Sequence, residues 1–566
     1  MAFQVSPGVN VSEVDKTTVV PSILTTAGAF VGTFAWGPAN KRILIDSEDT
    51  LRTVFGKPDA NTFVDYYTAS SFLSYGNNLT VVRAANTTSR NATANTAASV
   101  KIDNSDIYTQ TYQNGTANAQ GSFAARCSGT LGNSLTVSVI DAGCNFAGWQ
   151  VNGQNVASYF SGAPGTSAAV KSTNGANDEI HIVVMDSLGK FTGSANTVLE
   201  VFPYISKSIT SVDAYGNSNY YKNALLNSSK YVYAIDPVGY ATTSATWGLS
   251  SSTNFVTLTS TQTVNLGGGV DSIAADGDMT IGYDLFANAE EVDISLLITG
   301  DASIPVQKYV SNIALSRKDC ISFISPPSSA VVNVAGTELT NIQAWNTSLA
   351  LSSSYIVADS GWKYMYDKYN NIYRWIPLNG DIAGLCVYTD SIRDAWYSPA
   401  GFNRGNLKNV VKLAWNPNKT QRDELYKLGI NPVSTFPGEG TVLYGDKTLQ
   451  VKPSAFDRIN VRRLFIVLEK TIAKASKYSM FEFNDEFSRA QFVALVTPFL
   501  REIQGRRGIY DFKVVCDATN NTGNIIDTNQ FVGDIYIKPT RSINFIQLNF
   551  IAVGTGVDFA EIVGSA

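Results

Sequence analysis

One histidine, His181, and five cysteines set the limits on chemistry in this 566-residue chain. No metal site with two or more histidines can form within one copy, and a Ser-His-Asp triad would have to pass through His181. That residue sits within Ile180-His181-Ile182-Val183-Val184-Met185, where alternation predicts a packed or surface strand histidine. Cys127, Cys144, Cys320, Cys386 and Cys516 are widely spaced with no C-x-x-C, as small buried hydrophobes in a reducing compartment would be. The stretch Gly440 to Thr448, with Gly445, Asp446 and Lys447, approximates a phosphate-binding loop with one residue too many. Such a loop must open directly into a helix. Here Val442-Leu443-Tyr444 favours a strand and Pro453 soon follows, so a strand and turn is expected. The 47 acids could supply a glycosidase pair, but no local constellation singles one out. Aromatic residues cluster from Trp362 to Trp375 (Trp362, Tyr364, Tyr366, Tyr369, Tyr373, Trp375). They could form a sugar platform; a packed domain junction is the reading favoured by the interleaved Asp367, Lys368 and Arg374. No enzyme and no cofactor is expected.

The elements that carry these residues belong to several domains, since one core does not serve so long a chain. A hydrophobic content of 44% and a mean hydropathy of −0.02 describe a folding protein. A net charge of −5 speaks against a nucleic-acid partner. Met1 to Val20 lacks the basic and apolar regions of a signal peptide, and no long apolar run exists, so neither export by a signal peptide nor membrane insertion is expected. The expected fold is multidomain α/β and α+β. Residues 1–22 form an N-terminal arm with a short strand on which Val9 and Val11, and then Val14, are placed. Residues 23–85 with 280–419 form an α/β core containing βαβ units, with parallel strands at Asp293 to Ile298 and Cys320 to Ile324. Residues 86–279, thin in charge and rich in Asn, Thr and Gly turns, are expected as an all-β insertion. Residues 420–566 form a C-terminal α+β domain. One of its helices, near Arg458 to Tyr478, is expected to turn Arg462, Lys470, Lys474 and Lys477 outward, and a second is expected to be capped by Asn484. Residues 554–566, with Val557, Phe559 and Ile562, mirror the N-terminal arm.

Particular strings carry more than composition does. Ser6-Pro7-Gly8-Val9, Phe34-Ala35-Trp36-Gly37-Pro38-Ala39 and Tyr75-Gly76-Asn77-Asn78-Leu79 come first. Asp381-Ile382-Ala383-Gly384-Leu385, Ser398-Pro399-Ala400-Gly401-Phe402-Asn403-Arg404-Gly405 and Val442-Leu443-Tyr444-Gly445-Asp446-Lys447-Thr448 follow. Phe456-Asp457-Arg458-Ile459-Asn460-Val461-Arg462-Arg463-Leu464-Phe465 and Arg541-Ser542-Ile543-Asn544 complete the series. In this order they resemble the tail sheath proteins of contractile-tailed, T-even-like phages, over roughly residues 1–85 and 280–566. The resemblance implies a structural subunit of the virion, assembled in the host cytoplasm. Its hexameric rings would stack around a tail tube and contract to drive it through the host envelope. It further implies terminal arms that add strands to neighbouring copies, a tube-facing C-terminal domain, and baseplate and tail terminator proteins as partners. A strand behind a flexible joint at each end is what β-augmentation between copies requires. Arg462, Lys470, Lys474 and Lys477 are the candidate tube contacts. A polysaccharide-binding or -degrading tail protein and a non-contractile shell protein are the alternatives.

Overall fold

Seven strands make the central sheet of this computed structural model, which describes residues 24–544 except 97, 114–120, 239–245 and 272, together with residue 547. The strands used below are β1 (Gly28–Gly32), β2 (Ile43–Ile45), β3 (Leu79–Arg83), β4 (Leu296–Ile298), β5 (Ile321–Ile324), β6 (Ile356–Asp359), β7 (Trp362–Asp367), β8 (Ile372–Pro377), β9 (Lys412–Leu413), β10 (Ile430–Asn431), β11 (Ile509–Val515) and β12 (Asp534–Pro539). The helices are α1 (Phe63–Leu73), α2 (Asp276–Asp284), α3 (Ile304–Arg317), α4 (Asn379–Ile392), α5 (Ile459–Ser476) and α6 (Glu486–Gly505).

The central sheet runs β10-β6-β5-β4-β1-β3-β2, parallel throughout except for β2. Its strands are short and apolar because helices cover both faces, which removes the polar alternation of a half-exposed strand. Phe30, Val81, Leu296 and Ile298 point to one face, where α1 and α4 pack. Ala29, Val31, Val82 and Leu297 point to the other, under α2 and α3. The β4–α3–β5 unit is the expected βαβ, opened by Ser303, whose hydroxyl accepts from Val306 N–H. On the opposite face α4 lies so close to α1 that a Cβ on Gly380 would stand 2.5 Å from the Thr68 carbonyl oxygen.

Two expected boundaries move. β10 pairs with β6, so the core sheet continues past residue 419 and the C-terminal unit starts with the segment leading into α5. α2 packs on β1 and β3, so the core resumes at Asp276, ahead of residue 280. The insertion is also not all β. It contains a four-stranded antiparallel sheet (residues 135–141, 179–186, 197–206 and 262–265) and a three-stranded one (91–93, 123–128 and 232–234). Helices at Ser105–Thr111, Ala168–Lys171 and Tyr221–Ser228 interrupt them. Two of these start at polar caps, Asn104 and Ser167, which look in sequence like more turn residues. They are too short for a helical period to be legible.

The C-terminal unit packs α5 and α6 with the hairpin β11–β12 around Leu464, Leu468, Val496, Leu500 and Ile509. The cap of α6 is Asp485, which accepts from Ser488 N–H, one residue beyond the expected Asn484.

At the carboxyl ends of β1 and β4 the Asp65 side chain accepts from Thr33 N–H at 2.6 Å. Burial pushes this carboxyl up to about 7; the Thr33 N–H works against that, and nearby Asp301 adds to it. A carboxyl whose folded pKa is raised contributes stability below its unfolded pKa and loses it as pH rises through the folded one. The wild type is therefore expected to lose stability relative to Asp65→Asn between about pH 4 and pH 7. Denaturant midpoints measured across that window check this, and parallel curves for the two proteins would contradict it.

Candidate functional site

Both described ends of the chain come together at the start of α5. This helix begins where Phe456-Asp457-Arg458 leaves the core, and Ile459 and Ile466 bury themselves in the main core cluster. Two joints form there, one for each end.

The first joint is a buried ion pair. Arg463 on α5 presents both guanidinium nitrogens to Asp390 on α4, at 2.7 and 2.6 Å, with both side chains nearly solvent-free. Such a fork is geometrically specific. Thr25, close to the first described residue, joins it twice: its hydroxyl donates to Asp390 at 2.7 Å and its carbonyl accepts from Arg463 at 3.3 Å. Ser295 adds a hydrogen bond to the Leu24 carbonyl. Leu24 and Thr25 are thus fixed to α4, to α5 and to the residue just before β4.

The second joint centres on Asp446, whose carboxylate is almost wholly buried. It accepts from Ser398 Oγ at 3.0 Å, Ser542 Oγ at 2.7 Å, Tyr426 OH at 3.2 Å and Asn544 Nδ2 at 3.0 Å. Arg458 lies 3.6 Å away and also donates to Asn544 Oδ1. Asp446 carbonyl accepts Ile459 N–H at 2.8 Å, tying the hub to the first residue of α5. Burial, followed by the Asp446 charge, pushes the Tyr426 phenol far above its ordinary value, so it stays a donor. Arg458 and Arg463 are five residues apart, about 7.5 Å of helix rise. The two arm roots therefore share one short stretch of α5.

The strings Ser398–Gly405, Val442–Thr448, Phe456–Phe465 and Arg541–Asn544 all contribute to this region. Nothing local in any of them marks Asp446 as a hub, since its side-chain partners lie 12 to 98 residues away. The stretch from Gly440 is the expected strand and turn.

The expected basic face of α5 divides. Arg462 is buried, stacked over Tyr355 and Phe456 at 4.2 and 4.1 Å and donating to Ser354 Oγ and Tyr355 OH. Lys470 is mostly covered and pairs with Asp293 while donating to the Ile294 carbonyl. Neither is an outward contact: Arg462 lies in the buried first turns of α5, and Lys470, farther along, is held down on Asp293 and the Ile294 carbonyl. Lys474 and Lys477 are exposed. They adjoin a run of exposed apolar side chains, Tyr478, Met480, Phe481, Phe483 and Phe487. The arm residues Val9, Val11, Val14, Val557, Phe559 and Ile562 lie outside the described residues.

His181 is fully buried. Its Nε2 lies 2.8 Å from the Gly162 carbonyl, its Nδ1 accepts Tyr204 N–H, and its ring stacks on Phe160. All five cysteines are free thiols. Beside β11, between it and α6, runs an open groove of about 550 Å³ lined by Ala490, Val493, Ala494, Pro498, Val514 and Cys516 among others. Among the described residues, β11 pairs with β12 alone.

Residues 280–449 match the family model described as the phage tail sheath protein central domain, and residues 451–552 match the phage tail sheath C-terminal domain. The chain is 35% identical to the tail sheath protein of Vibrio phage KVP40, over 99% of each chain. It is 34% identical to that of Enterobacteria phage T4, also over 99% of each. The crystal structure of a sheath tail protein from Listeria innocua shares its fold with a TM-score of 0.52, at 11% identity, covering 92% of this chain and 96% of that one.

Proposed function

The chain belongs to the tail sheath proteins of T4-like contractile phages, and from that premise we propose that the α5 start is the joint through which each subunit holds its neighbours. The protein is a structural component of a contractile tail sheath. Its two ends, beyond Leu24 and beyond Asn544, are arms that add strands to neighbouring copies, and β11–β12 with its open flanking groove is the acceptor. The observation that carries this reading is the convergence of Thr25, Ser542 and Asn544 on Arg463 and Asp446. A pull on either arm is delivered to the same buried turn of α5 and through it to α4 and the core. Subunits can then rotate as rigid bodies while main-chain links between copies persist.

Rings of six copies stack around the tube, with the C-terminal unit inward and Lys474 and Lys477 towards acidic tube subunits. Tube, baseplate and tail terminator proteins are the partners, and assembly takes place in the host cytoplasm. Contraction needs a packing difference of several kcal/mol per subunit, since about 5.5 kcal/mol turns 1:99 into 99:1. The protein performs mechanical work and no bond chemistry.

Purified full-length protein viewed in negative stain tests the reading. Short, wide tubes with a helical surface are expected. Monodisperse subunits at high concentration, or narrow smooth tubes of a shell protein, would contradict it.

A further inference from the structure

The aromatic cluster is left over once the arm joints are described. Trp362 and Tyr369 are packing residues: Trp362 is buried with its indole N–H on the Pro326 carbonyl, and Tyr369 OH donates to Glu48. The other four rings share one face of the sheet β8-β7-β9. Tyr364 stands directly opposite Trp375, and Tyr366 opposite Tyr373, with ring centroids 4.6 and 5.3 Å apart. Tyr364 also stacks on Tyr373 at 5.4 Å. Lys412 on β9 places its ammonium 5.0 Å from the Tyr364 ring and 5.5 Å from Trp375, and it has no ion pair among the described residues. Tyr366 and Tyr373 are 44% and 51% exposed.

A sugar platform needs an open ring face. Here Tyr364 stacks on Tyr373 and lies under Lys412, and the Tyr364–Trp375 and Tyr366–Tyr373 pairs meet at tilts of 42° and 58°, so the four rings form no flat platform. The Lys412 ammonium set among the exposed Tyr366 and Tyr373 rings makes this a surface that favours an acidic partner with some apolar area. The opposite side of the molecule has that chemistry. α2 packs beneath the other face of the central sheet, and its outer side presents Asp278, Ile281 and Asp284 at helical spacing, with Ile281 55% exposed. Glu290 follows, also exposed. The β7–β8 hairpin sits instead on α1, with Arg374 over Phe63 and Tyr67 OH donating to Asp367.

We propose that these two surfaces meet between copies: the Tyr366/Tyr373/Lys412 face of one subunit docks on the Ile281/Asp284/Glu290 face of the next. Complementary patches on opposite sides of one chain make a head-to-tail contact, which closes into rings or winds into helices. The contact rests on the sheath reading and adds to it a second link, through side chains, that arm exchange does not supply.

A photo-crosslinking phenylalanine in place of Tyr373, activated in polymer assembled from the full chain, is expected to capture a peptide within residues 276–293 of a neighbouring copy. Capture of any other segment overturns the contact. Lys412→Glu is expected to raise the protein concentration needed for polymer about tenfold, and Lys412→Glu with Asp284→Lys to recover most of it. Unchanged assembly of the single variant, with its thermal unfolding also unchanged, overturns the contact while leaving the sheath reading intact. Wild-type protein that forms no polymer overturns both.

Discussion

Arg463→Leu is expected to destabilise the subunit by about 3–5 kcal/mol, because it strands the Asp390 carboxylate in a site closed to water. Asp390 would keep the Thr25 hydroxyl as a donor but lose the two guanidinium bonds that offset its desolvation. The pair matters through its geometry more than through its net energy. The double variant Arg463→Leu with Asp390→Leu is therefore expected to recover much of the loss, since replacing both buried charges removes the desolvation cost as well. Denaturant midpoints of the two singles and the double close the cycle. The double variant separates fold from function: a refolded subunit without the fork no longer holds the Thr25 carbonyl, and its assembly is expected to stay defective. A double variant that assembles like wild type would mean that the fork serves only the core.

Asp446→Ala is the second large effect. The substitution removes the acceptor shared by Ser398, Tyr426, Ser542 and Asn544 and leaves Arg458 without its inner carboxylate. Loss of a buried charged acceptor costs about 2–4 kcal/mol by the penalties for unsatisfied groups. Part of the cost falls on the attachment of residues 541–544, because Ser542 and Asn544 both donate to this carboxylate. Limited trypsin digestion is expected to cut at the exposed Arg541 at least several-fold faster, with the remainder of the chain resistant. Asp446→Asn, which keeps the shape but not the charge, should fall between. Unchanged cleavage at Arg541 would remove Asp446 from the account of the C-terminal arm.

The parallel core was legible because fully buried strands read as short apolar runs: Leu296-Leu297-Ile298 and Ile321-Ser322-Phe323-Ile324 are where the pattern puts them. The short strand β10 was not, because two residues, Ile430 and Asn431, carry no period at all. α5 shows a different limit. Helical spacing places Arg462, Lys470, Lys474 and Lys477 near one another, and a charged stripe reads as a solvated face. The environment changes along the helix, however. Ser354 and Tyr355 cover Arg462 and Asp293 covers Lys470, each from more than a hundred residues away, while no described residue covers Lys474 or Lys477. The joints were illegible for the same reason. Asp390, Arg463 and Asp446 sit among other charged and polar residues in sequence, and their burial comes from partners that only the fold brings near.

The central claim is that the two arms, rooted at α5, link one subunit to the next. The most direct measurement compares full-length protein with residues 24–544 by sedimentation and negative stain at matched concentration. The account predicts that the full chain forms helical polymer while the shortened chain stays monomeric with an unchanged unfolding midpoint. Equal polymerisation of a folded 24–544 protein would contradict it.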